Sequence, residues 1–236
     1  MDYALFVLVG LAGSLASAVF GFGTALLVLA IGSHVLPVKE TIALATVLFT
    51  ASTVTKTLLF GRHIDWKVVA IMAVACLPFS YLGAQLLAAV PADHIKRLLG
   101  VMVLAYMVLS LSRLLPAIKI GTAGVIVGSA LYGFVSGLLG SGNLIKVIMF
   151  REMRMTGEAF VGAMAATSVM SNIAKLGAYS QTGLLHCGLV WPALALALSA
   201  IGAAFVGRAI LRKIDGRTFE TGVQVLLGAA AAALLI

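Results

Sequence analysis

Apolar residues run along this chain in eight stretches, roughly 3–33, 38–60, 66–90, 95–115, 120–150, 157–181, 187–210 and 218–236, with polar residues held to short joints. About 20 residues at 1.5 Å each cross the hydrocarbon of a bilayer, so the pattern predicts an all-α integral membrane protein. The first and fifth stretches are about thirty residues long, more than one crossing needs. Each is interrupted by a pair of glycines, at Gly21-Phe22-Gly23 and at Gly140-Ser141-Gly142.

Two topologies follow. If every stretch crosses, the chain has eight spanning helices in two parallel halves. If the first and fifth are re-entrant hairpins, each half has three crossings, and an odd number inverts one half relative to the other. Irregular backbone at membrane depth is tolerated where protein or a wet cavity covers it. Loop charge does not choose between them. With hairpins, Arg62, Lys67, Arg113, Lys119, Arg151, Arg154, Arg208, Arg212, Lys213 and Arg217 share one side against Lys39, Lys96 and Arg97. That is ten to three; eight crossings give nine to four. The over-long stretches, and the association of broken helices with inverted repeats, favour hairpins. The side with ten basic residues is then cytoplasmic and both termini lie outside.

The halves are related in sequence. At an offset of 119, Ser17, Gly21, Gly23, Ser52, Lys56, Leu77, Ser80, Gly83 and Ala84 match Ser136, Gly140, Gly142, Ser171, Lys175, Leu196, Ser199, Gly202 and Ala203. Repeat 1 covers about 1–116 and repeat 2 about 117–236, within a single membrane transport domain spanning 1–236. The shared lysine carries the most weight, because a cation is costly inside an apolar segment.

Composition agrees with this picture. The chain is 62% hydrophobic and 10% charged, where a soluble domain carries about 25% charged residues. A net charge of +8 raises nucleic acid as a partner, but the basic residues sit in short loops, as the positive-inside rule expects. Lipid, not nucleic acid, is the partner read here. Cys76 and Cys187 form no CxxC and read as inert thiols. The N-terminus has no basic n-region and reads as a retained membrane segment.

The candidate chemistry lies at the repeat positions. Glycine leaves helical geometry without steric cost, so the breaks free backbone N–H groups at the start of a half-helix. Those donors and the helix dipole suit an oxyanion, and Thr24 and Asn143, directly after the breaks, add side-chain donors. Close helix packing through small residues is the competing use of the same glycines. Lys56 follows Ser52-Thr53 and Lys175 follows Ser171-Asn172. Serine at i and lysine at i+4 share a helical face, placing a cation among neutral donors. The competing reading is snorkelling to headgroups, easier for Lys56 than for Lys175.

The acidic residues fall at segment ends and loops, which disfavours a cation pump with a carboxylate relay. Glu158 reads as a dipole-favoured residue at a helix start. Tyr81 and Gln85 share a face, available for the path or for helix–helix hydrogen bonding. His34, His63, His94 and His186 lack ligand spacing, so neither a metal nor a cofactor is expected. Lys146 has Leu27 at its repeat position and reads as a snorkelling or loop-contacting side chain.

These residues together resemble the sulfite exporter TauE/SafE family. The likeness rests on the glycine-broken first helix (Val19-Phe20-Gly21-Phe22-Gly23-Thr24-Ala25-Leu26) and the Ala/Thr/Ser-rich segments Ala43-Leu44-Ala45-Thr46 and Ala163-Met164-Ala165-Ala166-Thr167-Ser168. It rests also on Gly61-Arg62-His63-Ile64-Asp65-Trp66, on Leu82-Gly83-Ala84 and on Gly183 before the seventh stretch. The resemblance implies a multi-pass carrier of the inner membrane for small sulfur-containing anions: sulfite, organosulfonates such as sulfoacetate, or thiosulfate. It implies export, anion passage between the repeats, and coupling to proton movement; a homo-oligomer is left open. Family members carry fuller GxGGG-like clusters than Gly-Phe-Gly-Thr and Gly-Ser-Gly-Asn. Thiosulfate importers of this type use path cysteines; Cys76 and Cys187 do not match in the repeat, which ranks a thiosulfate or sulfate importer lower. A thiol-redox membrane protein and a structural subunit are the readings of another class. Hydrolysis is not expected without a nucleotide-binding motif, and the chain is not read as an enzyme.

Overall fold

Backbone in lipid must satisfy its own hydrogen bonds, and the apolar stretches do so as helices. The computed structural model describes residues 2–20, 24–111, 121–153, 155 and 157–211. These form α1 (Asp2–Phe20), α2 (Thr24–Val35), α3 (Val38–Phe60), α4 (Trp66–Ala89), α5 (Ala92–Leu111), α6 (Thr122–Leu139), α7 (Asn143–Glu152), α8 (Gly157–Gln181) and α9 (Val190–Leu211). Single 3-10 turns, Gly61–His63 and Cys187–Leu189, precede α4 and α9. Among the described residues there is no strand, and six helices (α1, α3, α4, α6, α8 and α9) are long and apolar enough to cross a membrane. The eighth apolar stretch and the Gly21-Phe22-Gly23 break lie outside the described residues.

The two over-long stretches fold back on themselves. In the fifth, α6 stops at Gly140, whose φ of 81° is the left-handed conformation that ends helices and that glycine adopts without a Cβ penalty. The chain then restarts as α7 at Asn143. A Cβ on Gly128 would lie 2.8 Å from the Met149 sulfur, so the far end of α7 returns beside the early part of α6. The first stretch does likewise: a Cβ on Gly32, near the end of α2, would lie 2.4 Å from the Phe6 ring near the start of α1. The hairpin arms are unequal. α1 is 19 residues and α2 is 12, about 28 and 18 Å at 1.5 Å per residue.

Contacts between the halves come in matched pairs under the 119-residue offset. α4 packs on α6 as α9 packs on α1, and α4 on α8 as α9 on α3. At the centre α3 and α8, themselves equivalent, run antiparallel. Gly162 near the start of α8 abuts Phe60 and Ile64 at the end of α3. Midway, Asn172 Nδ2 donates to Thr53 Oγ1 at 3.2 Å, joining two residues that hold the same repeat position.

Small residues set the closest approaches. A Cβ on Gly133 would stand 2.3 Å from the Cys76 carbonyl oxygen, one on Gly137 2.2 Å from Ser80 O, and one on Gly83 2.3 Å from Phe134 O. The Gly133-xxx-Gly137 spacing thus seats α6 directly against the α4 backbone, as small-xxx-small faces do in membranes. Asp65 caps α4, its carboxylate accepting from the backbone N–H groups of Lys67 at 3.0 Å and Val68 at 3.3 Å. The main apolar core draws on both halves, with Phe6, Leu29, Ile42 and Leu48 from the first and Tyr179 and Leu196 from the second. Leu8, Val74, Trp191 and Leu198 lie exposed on the outside, as a lipid-facing surface requires.

Candidate functional site

A cavity opens between α3, α8 and the broken ends of the two hairpins. From the first half it is lined by Ser17, Ser52, Thr53 and Lys56, and from the second by Ser136, Gly140, Ser141, Asn143, Asn172 and Lys175. Ala25, Phe49, Met164 and Ala165 form its apolar part, and Tyr132 and Ser168 complete the wall.

Both lysines are buried; Lys56 is 3% exposed and Lys175 1%. Neither snorkels. Lys56 Nζ donates to Ser17 Oγ at 2.7 Å and to Ser17 O at 3.1 Å. Lys175 Nζ donates to Gly140 O at 3.0 Å. Ser17 O lies in the last turn of α1 and Gly140 O at the C-cap of α6, so each ammonium sits at the negative end of a helix dipole. An ammonium has three donors. Two of Lys56's and one of Lys175's are engaged, leaving one and two donors without a partner among the described residues. Neither pairs with a carboxylate there; the contact of His63 Nδ1 with the Glu158 carboxylate, at 3.1 Å, lies at the end of the bundle. The N-terminus of α7 enters the same cavity through Asn143, adding the positive end of a helix dipole. Positive groups and neutral donors with spare capacity meet around one space, which suits a small anion.

The remaining candidate residues are placed as follows. Gly21, Phe22 and Gly23, and the side chain of Thr24, lie outside the described residues. Gly142 sits behind the wall, where a Cβ would come within 2.8 Å of Tyr132 O. Ser171 faces away from the cavity: its hydroxyl accepts from Ser80 at 2.8 Å and donates to Ser136 at 3.3 Å. The i to i+4 pairing of serine with lysine on the cavity wall therefore holds for Ser52 and Lys56 and not for Ser171 and Lys175. Each lysine reaches across to the end of the neighbouring broken helix, Lys56 to Ser17 and Lys175 to Gly140. Tyr81, Gln85 and Gln181 bond one another at 2.5 to 3.3 Å between α4 and α8.

Sequence reasoning missed four polar members of the wall. Ser17 and Ser136 were visible as a repeat identity without an assigned role. Tyr132 and Ser168 have no repeat signal, since Gly13 and Phe49 stand in their places. Lys146 is a correction: it is fully buried and donates inward to α8, because it lies on α7, the short arm enclosed by α6 and α8.

The thiols do not share a site. Cys76 is buried, its Sγ donating to Ala73 O at 3.5 Å, whereas Cys187 is exposed in the turn before α9.

Comparison with known proteins adds one finding. No curated protein and no solved structure matches the chain, but a family model described as sulfite exporter TauE/SafE matches residues 5–234. The match takes in both hairpins, both buried lysines and every residue of the cavity wall, and the chain accordingly belongs to the sulfite exporter TauE/SafE family.

Proposed function

We propose that the protein is a secondary carrier that exports sulfite or an organosulfonate across the inner membrane, holding the anion between Lys56 and Lys175. Six span-capable helices and membership of a transporter family make it a multi-pass membrane protein. The observation that carries the reading is the cavity itself. Two buried ammonium groups with donors to spare face it from equivalent positions of the two halves, without a carboxylate partner among the described residues. A buried cation without a counter-charge is costly, and a bound oxyanion supplies that charge together with acceptors for the spare donors. Flux of labelled sulfite and sulfoacetate in proteoliposomes tests it. Saturable flux that empty vesicles lack is the expected result; equal leak in both rejects a carrier.

In this reading the halves are inverted repeats, and passage is a rocking of one against the other about the fixed site. The antiparallel run of α3 and α8, the Thr53–Asn172 contact between equivalent residues and the folded-back hairpins support it. Sided labelling checks the inversion. In a Cys76→Ser, Cys187→Ser background, expected to keep wild-type flux, Arg62→Cys and Gln181→Cys occupy equivalent exposed positions. They are expected to react with an impermeant maleimide from opposite faces of the membrane; reaction from the same face rejects inversion. Loss of flux in the double serine background would instead favour the thiol-redox reading.

A further inference from the structure

Lys146 is buried in the membrane part of the molecule and the carrier reading gives it no task. Its ammonium lies one residue behind the cavity wall. Nζ donates to Met164 O at 2.8 Å, to Thr167 Oγ1 at 3.4 Å and to Ser168 Oγ in a short bond. It also lies 4.5 Å from the centre of the Tyr132 ring, within cation–π range. All three donors are engaged, so unlike Lys56 and Lys175 this lysine has none for a ligand.

Its partners, however, form the wall. Ser168 and Tyr132 both line the cavity. The Ser168 hydroxyl accepts from Lys146 and, at 3.3 Å, from Tyr132 OH, and it gives its proton to Met164 O at 2.8 Å. A serine oxygen has two lone pairs and one proton, so every position on it is taken. Bare lone pairs facing the cavity would repel an anion; here both are covered by donors, one of them cationic. The first half has no such cluster in sequence. Leu27, Gly13, Leu48 and Phe49 stand where Lys146, Tyr132, Thr167 and Ser168 stand in the second.

We propose that Lys146 is a positioning residue for the transported anion, acting through Ser168 and Tyr132 to hold it against the second half of the protein and so to break the symmetry of the two-lysine site. The inference rests on the carrier reading above. It assigns Lys146 to affinity and leaves the conformational step to the rest of the bundle.

The test is the concentration dependence of sulfite flux in proteoliposomes, normalised to folded protein. Lys146→Met is expected to raise the half-saturating concentration about tenfold, the scale of a unit charge attracting the anion across one intervening residue, with maximal flux unchanged. Ser168→Ala is expected to raise it as well, and the double variant is expected to fall short of the product of the two single effects. A purely structural lysine would lower the yield of folded protein and leave the half-saturating concentration where it was. That result, or single effects that multiply, overturns the proposal. Should Lys146→Met fail to fold, Ser168→Ala decides alone, because it keeps two of the lysine's three partners; an unchanged half-saturating concentration in it overturns the proposal. Wild-type protein that carries no anion rejects the carrier reading and this inference with it, whereas normal flux with Lys146 neutralised rejects this inference alone.

Discussion

Replacing Lys175 with methionine is expected to lower flux at sub-saturating anion by about a hundredfold, the effect of removing a buried cation with two open donors from a binding site. Methionine keeps the unbranched stem and its packing, so the change is mainly one of charge and donors. One structural cost accompanies it. Gly140 O loses the donor it has at 3.0 Å, and a buried carbonyl left without a partner costs about 1–3 kcal/mol. Flux must therefore be normalised to protein that remains folded, by size-exclusion profile and thermal unfolding in detergent. Lys56→Met is expected to act in the same direction and less strongly, because among the described residues Lys56 has one open donor where Lys175 has two. Wild-type flux in both variants, with folding intact, would remove the lysines from the site.

Gly137→Leu is expected to be strongly destabilising. A Cβ there would lie 2.2 Å from Ser80 O and 2.7 Å from Ala84 N. Both are backbone atoms of α4 and neither can turn aside, so the helices must separate. Overpacking of this kind costs about 3 kcal/mol, the upper end of its usual range, or a fall of about 10 °C in midpoint for a chain of this size. The control is Gly177→Ala on α8, where nothing lies within 4 Å; alanine there is expected to hold stability level or improve it by up to about 1 kcal/mol. Equal midpoints for the two variants would mean that α4 and α6 are not in backbone contact.

Much of this architecture could be read before any coordinates. Lengths of about thirty residues and paired glycine breaks pointed to hairpins in the first and fifth stretches, and both fold back. Equal spacing brought out Lys56, Lys175 and Gly140, all three on the cavity wall. Such features are legible because periodicity and repetition are properties of the chain alone. Partnerships across the bundle are not. Ser52 and Ser171 share a repeat position, yet one lines the cavity and the other is drawn to Ser80 and Ser136 by packing. Lys146 was obscured for a related reason. A lysine four residues past a break looks able to reach headgroups, and only the return of α7 against α6 and α8 encloses it. Repeat identity detects what the halves share, so it cannot find the features that make them different, and the Lys146–Ser168–Tyr132 cluster is one of those.

The function of the protein turns on whether a negatively charged solute sits between the two buried ammonium groups. Titration of the purified protein with sulfite, followed calorimetrically, addresses that without any assumption about direction or coupling. Saturable binding of one anion per chain, lost in the Lys56→Met, Lys175→Met double variant while its thermal unfolding stays cooperative, is the predicted result. Binding that survives intact in that variant, or no saturable binding of sulfite or sulfoacetate to folded wild-type protein, would contradict it.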